Sequence, residues 1–413
     1  MNYRTTNRLF TLGAFSLPPV LGSVTSVVWH GGALWCVFEV LSKRRRLSPD
    51  RAMRWLAALM LVYIAANIAA FLAGNPSWAL AYKLLPLATF LLFPFSYSIW
   101  TISDRQEVAH AVLLGCTLAS FGALVLALIQ YGYLGLRAEG GAGNALVFAD
   151  VACLAGLSCL AGALILDDRR VPVLLFAFMA AFCAVIMSGS RSVWGVMIVL
   201  TLIELFVFRK RVMKVIRGRV LALVGMALII VVLTSGLIVD RFETLLVNLD
   251  RLTQSADYST SVGLRVALWE TGLKLFAERP ILGYGLQNTS DLIRQILHES
   301  YGLDVSFTHF HNGFLTILVE GGIVAGGAIV AMFALITFFA IRALSSRNEP
   351  VTRLGGMILL VLVAVYAGGG SVNIVFGHDI LDTVFMMFLI VGLYLSCGTS
   401  RLPDAQETVS ARN

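Results

Sequence analysis

Charge is what this sequence lacks most: Asp, Glu, Lys and Arg make up 13% of its 413 residues, where soluble domains carry about a quarter. With 58% hydrophobic residues and a mean hydropathy of +0.84, the chain reads as an integral membrane protein. The opening MNYRTTNRLF shows no short apolar core followed by a small-residue cleavage site, so no cleavable signal peptide is expected. The six cysteines (Cys36, Cys116, Cys153, Cys159, Cys183 and Cys397) stand in or beside apolar segments, and none lies in the long polar loop. Neither a disulfide framework nor a thiolate metal site is expected from that distribution. There is no internal repeat of fixed period and no low-complexity tract. A pI near 9.2 would suit a nucleic-acid partner, but the basic residues form short clusters between apolar runs. Membrane orientation explains that pattern better, and no nucleic acid is expected.

What is present is a series of apolar runs. A spanning helix needs about 20 residues, and the chain offers twelve spans: 7–24, 25–42, 54–73, 80–101, 109–133, 144–166, 171–188, 192–208, 220–238, 312–342, 354–373 and 378–397. Pro18 and Pro19, and short length, weaken the first two. With both termini cytoplasmic, 22 of the 31 Lys and Arg residues fall in inward-facing segments, as the positive-inside rule requires. The fold expectation is therefore an all-α polytopic membrane protein of about twelve transmembrane helices with a large helical loop on the periplasmic side. It divides into an N-terminal bundle of nine spans (1–238), a periplasmic loop domain (239–311), and three further spans with a short cytoplasmic tail (312–413). Within the loop, GLRVALWETGLKLFAERP predicts a helix closed by Pro280, with Arg265, Trp269, Gly272 and Phe276 on one face. SDLIRQILHESYG predicts a second, capped by Ser290 and stopped at Gly302.

Ionisable groups at the ends of spans are costly and are functional candidates by default. Arg191 lies in MSGSRSVWG between two spans, on the side where the charge bias disfavours a cation. Ser188, Gly189, Ser190 and Ser192 around it would let a ligand approach the backbone near a helix start, an anion-binding arrangement. The plain alternative is a snorkelling interfacial arginine. Arg265 opens the first loop helix, and its alternative is an exposed cation on an amphipathic face. Two such arginines could clamp a diphosphate, because guanidinium forks bind phosphate oxygens bidentately. Arg137 and Lys83 are further outward cations that could join them, with headgroup contact as the alternative for each. His309 and His311 stand in HFHNGFLTILVEGG at the mouth of the long run 312–342. At about 1.5 Å per residue that run makes roughly 46 Å of helix, more than a bilayer requires. His311 should then stand at or above the outer interface, with Glu320 about 13 Å deeper. A neutral imidazole is suited to accept a proton from a hydroxyl; helix capping or anchoring is the alternative. The histidines are two residues apart, and the loop has no Asp-x-Asp or Cys/His cluster, so no metal and no cofactor is expected. Glu320 could orient an arginine, Asp150 and Asn373 could line a cavity, and Glu39 and Glu204 read as interfacial. Trp269 and Tyr284 could stack on sugar or sit in the interfacial aromatic belt.

At SGSRSVWG, LRVALWETGLKLFAERPILGYGLQN and HNGFLTILVEGGIVAG, and in the order of those motifs, the sequence resembles the O-antigen ligase family. That superfamily also holds O-antigen polymerases and bacterial oligosaccharyltransferases. The motifs run from about 185 to 330, and the span layout extends the likeness along the chain. The resemblance implies an inner-membrane enzyme, a metal-independent inverting glycosyltransferase with its site facing the periplasm. It would move O-antigen polysaccharide from undecaprenyl diphosphate to a sugar hydroxyl of lipid A–core oligosaccharide. By the same resemblance Arg191 and Arg265 would hold the diphosphate and His311 would be the catalytic residue, since only His311, not His309, precedes the asparagine in the family manner. Membrane lipids are the other expected partners, and the chain is expected to act as a monomer. A polymerase using the same donor is the nearest rival. A protein oligosaccharyltransferase is less favoured because no extra soluble C-terminal domain follows. A lipid-linked glycan transporter is less favoured because transporters place charges near the midplane, often in inverted repeats.

Overall fold

The computed structural model describes residues 3–216 (apart from 75, 77, 167 and 168), 236, 239–240, 242–346 and 349–400. The expected span 220–238 lies almost wholly outside the described residues, as does the tail beyond 400. Among the described residues all regular structure is helical. Seven helices are long and apolar enough to cross a membrane: Val24–Leu41, Arg51–Ala73, Arg105–Tyr133, Ala145–Ile165, Gly313–Leu344, Pro350–Gly370 and Asp379–Cys397. Val171–Met187 and Arg191–Val207, at 17 residues each, are shorter apolar helices that pack with them.

Three of the expected spans are interrupted, two of them at prolines. The run 7–24 is divided into Tyr3–Ser16 and Pro18–Leu21, because proline lacks the amide that would continue the first helix. The run 80–101 is divided into Trp78–Leu84, Leu87–Leu91 and Phe93–Trp100, with Pro86 and Pro94 at the starts of the last two pieces. Elsewhere polar caps set the boundaries. Asn144 accepts from the amides of Leu146 and Val147 at 2.9 and 3.3 Å, and Asp104 accepts from Gln106 and Glu107 at 2.8 and 3.3 Å.

Ala145–Ile165 and Asp379–Cys397 form the centre of the bundle, each 94% buried over its apolar core. They show no usable amphipathic stripe because they meet protein on all sides. Glu204, read as interfacial from its place near a span end, is fully buried at 0% exposure.

The loop contributes a second, smaller core. Residues 242–255 are helical, followed by Ser261–Glu278 and Thr289–Tyr301. Leu268, Leu275, Ile293 and Leu297 from these helices close on Phe310, Leu315 and Val319. Helix Ser261–Glu278 therefore lies directly on the start of Gly313–Leu344. Gly272 is the point of closest approach, where a Cβ would come within 2.6 Å of the Leu315 side chain. The first loop helix stops at Glu278, two residues before Pro280. The second starts at Thr289, with Asn288 and not Ser290 at the cap position, and ends as expected at Gly302 with φ +64°.

The long helix is not continuous. Gly322, at φ 64° and ψ −167°, breaks it after two and a half turns. The turn that follows the first loop helix fills the break. Tyr284 donates its amide to the Val319 carbonyl at 2.8 Å, Gly285 donates to Glu320 at 2.9 Å, and Ile323 donates back to Pro280 at 2.8 Å. Those are carbonyls and an amide that a helix end leaves unpaired. The turn also reaches helix Arg51–Ala73, where Gln287 Nε2 donates to the Phe71 carbonyl at 3.1 Å and Asn288 Nδ2 to Gly74 at 2.9 Å. Backbone crowding at the junction leaves no room for side chains at two positions: a Cβ on Gly322 would sit 2.0 Å from the Ile281 oxygen, and one on Gly283 (φ +68°) 2.3 Å from the Val319 oxygen.

Gly322→Ala should accordingly destabilise the protein by at least about 1–3 kcal/mol, from a left-handed alanine and a backbone clash. Gly327→Ala, in the same helix with open space around the α-carbon, should match or exceed the native stability. Thermal unfolding in detergent, followed by size-exclusion fluorescence, checks both; equal melting temperatures for the two variants would refute the junction's role.

Candidate functional site

Arg191 begins helix Arg191–Val207, and the turn before it is tied down on several sides. Gly189 takes φ +68°. Ser188 Oγ donates to the Val185 carbonyl at 2.6 Å and accepts from the Ser190 amide at 3.1 Å, while Ser190 Oγ donates to Ala145 at 3.1 Å. Trp194 Nε1 donates to Val185 at 2.9 Å, and Arg137 Nε donates to the Ser188 carbonyl at 3.0 Å. The small residues expected to admit a ligand to the backbone are thus used to lock the turn, with Ser188 and Ser190 buried. They fix the direction in which Arg191 leaves the bundle.

Arg265 lies in the second turn of Ser261–Glu278, whose cap, Thr260 Oγ1, accepts from the Gly263 amide at 3.1 Å. The side chain is half-buried, and it comes close enough to Arg191 for the two charges to repel. Burial first, and the Arg191 guanidinium second, push the pKa of Arg265 below its ordinary value. The arginine remains a cation, since guanidinium groups stay protonated in proteins, but the cation is held at a cost.

His311 lies on the same side of this pair. Its backbone is left-handed, φ 49°, which is uncommon for a residue with a side chain. The indole of Trp269 donates to its carbonyl at 3.4 Å, and Asn312 caps the following helix by accepting from Leu315 at 3.1 Å. The imidazole sits edge-on to His309 with ring centroids 4.6 Å apart, and to Phe307 at 5.2 Å. Burial, then the neighbouring His309 and Arg265, push its pKa down to about 4. His309 is also lowered, by burial first, with Asn373 opposing and His378 adding to the effect. Its Nδ1 lies 3.1 Å from Thr308 Oγ1. At neutral pH the site therefore holds two guanidinium cations beside two uncharged imidazoles.

The structure brings Arg191, Arg265, His311 and His309 together, with Trp269 as a brace on the His311 backbone. Arg137 stands behind the Arg191 turn. Lys83 Nζ instead donates to the Gln287 carbonyl at 3.2 Å, and Glu320 is buried beside Thr289 and Lys83, so both belong to the junction below the loop domain. Tyr284 is there too, its hydroxyl donating to Glu278 at 2.6 Å while the Arg279 guanidinium covers its ring at 4.7 Å. His378 is the neighbour that sequence reading missed. It precedes the apolar helix Asp379–Cys397 in the pattern that singled out His311, a titratable group at the mouth of a greasy run. Among the described residues no group of three or more His, Cys, Asp or Glu side chains has a metal-binding arrangement.

Two cations close together in a partly desolvated place suit an anion with several oxygens. A neutral imidazole next to them suits removal of a proton from a hydroxyl held alongside.

Comparison with known proteins adds to this geometry. Residues 176–327 match the family model for O-antigen ligase, a stretch that contains Arg191, Arg265 and His311. An uncharacterized protein of Haemophilus influenzae is 23% identical over 180 residues, which is 42% of this chain and 45% of that relative. The alignment thus spans less than half the length of the relative.

The lowered pKa of His311 has a direct consequence. Acidification must reach about pH 4 before this imidazole is half protonated, whereas an exposed histidine titrates near 6.5. Carbethoxylation, which modifies only neutral imidazole, should label His311 at nearly the same intrinsic rate at about pH 5.5 as at about pH 7.5. Arg265→Gln removes one cause of the depression and should move the titration upward. Peptide mapping by mass spectrometry reads the rate at each histidine; a wild-type midpoint near 6.5 at His311 would contradict the assignment.

Proposed function

From the match of residues 176–327 to the family model for O-antigen ligase, a family of glycosyltransferase-like membrane enzymes, we propose that this multi-pass membrane protein is an O-antigen ligase. It transfers O-antigen polysaccharide from undecaprenyl diphosphate to a sugar hydroxyl of lipid A–core oligosaccharide. The observation that carries the reading is the meeting of Arg191 and Arg265 next to an uncharged His311. The enzyme is read as lying in the bacterial inner membrane with both termini cytoplasmic, its site facing the periplasm, and as acting as a monomer. The bias of lysine and arginine toward one side supports that orientation.

In this mechanism the guanidinium groups of Arg191 and Arg265 engage the diphosphate of the donor through paired N–H···O bonds. His311 accepts the proton of the acceptor hydroxyl. The freed oxygen attacks the anomeric carbon from the face opposite the diphosphate, a new glycosidic C–O bond forms, and the anomeric C–O bond to phosphate breaks. Undecaprenyl diphosphate departs with the bonding electrons, and the anomeric configuration inverts. The two fixed cations stabilise the charge that grows on the leaving group, so the step needs no divalent ion. Placing His311 away from the bundle core, beside Arg265 of the loop domain, lets an acceptor headgroup reach it without crossing hydrocarbon.

A polymerase would use the same donor and the same two arginines, but would extend a lipid-linked chain instead of capping lipid A–core. The family match accommodates it equally, so the test must separate the two products. Deleting the gene should leave bare core on a lipopolysaccharide gel, with long undecaprenyl-linked polymer accumulating. Core carrying a single repeat unit would make the protein a polymerase, and an unchanged ladder would point to protein glycosylation or transport. In the complemented strain, His311→Ala should abolish the ladder and His309→Ala should retain most of it. Arg191→Gln and Arg265→Gln should each lower the transfer rate by roughly 10²–10³, the range for losing one electrostatic donor to a developing anion. Equal retention by both histidine variants would rule out His311 as the base.

A further inference from the structure

A second cavity lies away from the arginine–histidine cluster. Its volume is about 710 Å³, and it opens between the ends of helices Tyr3–Ser16, Arg105–Tyr133 and Val171–Met187. Arg170 stands at its edge just before Val171, whereas Ser188 and Arg191 follow the other end of that helix. Seventeen residues at about 1.5 Å each separate the two places by roughly 25 Å, nearly the depth of a bilayer core.

The cavity arises from the short first helix. Tyr3–Ser16 and Val171–Met187 both pack on Arg105–Ala127, and residues of all three line the wedge. At 14 residues, Tyr3–Ser16 is about 21 Å long and ends before Pro18, too short to fill the wedge across a membrane. The rim of the wedge is basic. Among the described residues it carries Arg4, Arg8 and Arg170 together with His110, and one acid, Glu107. The wall below is apolar and open: Leu9, Leu114 and Val173 are 53%, 43% and 49% exposed.

We infer that this wedge is a binding site for an anionic phospholipid, with the phosphate among Arg4, Arg8 and Arg170 and the acyl chains along the leucine and valine wall. An apolar wall alone would accept any lipid. Three guanidiniums on the rim select a negatively charged headgroup, since each basic residue at an anionic lipid surface adds attraction and basic pockets between spans take acidic headgroups. The long aliphatic stems of the arginines cover the upper wall while their charged ends reach the phosphate level. Occupancy would hold Tyr3–Ser16 against the bundle, supplying contacts that the short helix lacks. The site is independent of the transfer reaction proposed above and stands or falls without it.

The test uses the full chain reconstituted in vesicles of phosphatidylcholine with one part in five phosphatidylglycerol or cardiolipin, then analysed by native mass spectrometry. The wild-type protein should retain the anionic lipid and shed phosphatidylcholine. Arg8→Gln with Arg170→Gln should weaken retention by about 30-fold, the effect of losing two basic residues at a lipid surface. Leu114→Trp, which fills the wedge and spares the arginines, should weaken it as well. Arg294→Gln, on the exposed face of a loop helix, should change nothing. Melting temperatures in lipid-free detergent show that the variants are folded. Equal retention of phosphatidylcholine would overturn the proposal, as would undiminished binding in both wedge variants. Displacement of the lipid by inorganic phosphate alone would make the rim a simple anion site, and stronger binding of undecaprenyl diphosphate there would make it a donor site; either result would overturn the phospholipid assignment.

Discussion

The insertion of the 280–285 turn into the break at Gly322 is the contact on which the rest of the arrangement depends. A helix interrupted in the membrane leaves carbonyls without partners, and each buried orphan costs about 1–3 kcal/mol. Here the amides of Tyr284 and Gly285 take the carbonyls of Val319 and Glu320, and the Pro280 carbonyl takes the Ile323 amide. The loop domain is therefore joined to the bundle by backbone hydrogen bonds, which do not depend on the identity of most side chains. Two glycines make the approach possible because any Cβ at Gly283 or Gly322 would occupy the space of the opposing backbone. Gln287, Asn288 and Lys83 extend the joint to helix Arg51–Ala73 and its neighbour.

With the joint fixed, the position of Arg265 follows. Its helix lies on the start of Gly313–Leu344 through Gly272, Phe310 and Leu315, so the second turn of the loop helix faces both His311 and Arg191. Two positive charges are then held near each other in a half-buried place, and burial with the Arg191 charge pushes the pKa of Arg265 down. Burial, then His309 and then Arg265, push the pKa of His311 down to about 4. On the proposed mechanism, a bound diphosphate would offset both effects. It would relieve the repulsion between the arginines and make a protonated imidazole easier to form, the change that mechanism needs as a hydroxyl gives up its proton. On that reading, donor binding and the readiness of the base would be coupled in part through Arg265.

Much of this was legible in the sequence. Low charge and long apolar runs announced a helical membrane protein, and asymmetry of lysine and arginine isolated the loop. Arg191, Arg265 and His311 stood out because each is a polar residue at the mouth of a helix where it is costly. Other features were hidden for physical reasons. Hydropathy sums over a window, so it does not see that Pro18, Pro86 and Pro94 break two apolar runs into pieces. The break at Gly322 was invisible because GGIVAG reads as continuous apolar helix, and its partner turn lies forty residues away. For Lys83 the sequence offered headgroup contact or a place beside the phosphate; its partner in the structure, the carbonyl of Gln287, is a backbone atom with no signature in sequence. His378 carried the same signal as His311 and could have been found by applying it again.

The measurement closest to the central claim is the affinity of the purified protein for undecaprenyl diphosphate across a double-mutant cycle of Arg191→Gln and Arg265→Gln, with the acceptor left out. If the two guanidiniums grip one diphosphate, each single variant should bind at least tenfold more weakly. The double variant should then lose less than the sum of the two single losses, because the oxygens they share can be released only once. Strictly additive losses would place the arginines on separate ligands, and unchanged affinity in the double variant would contradict the account of the site.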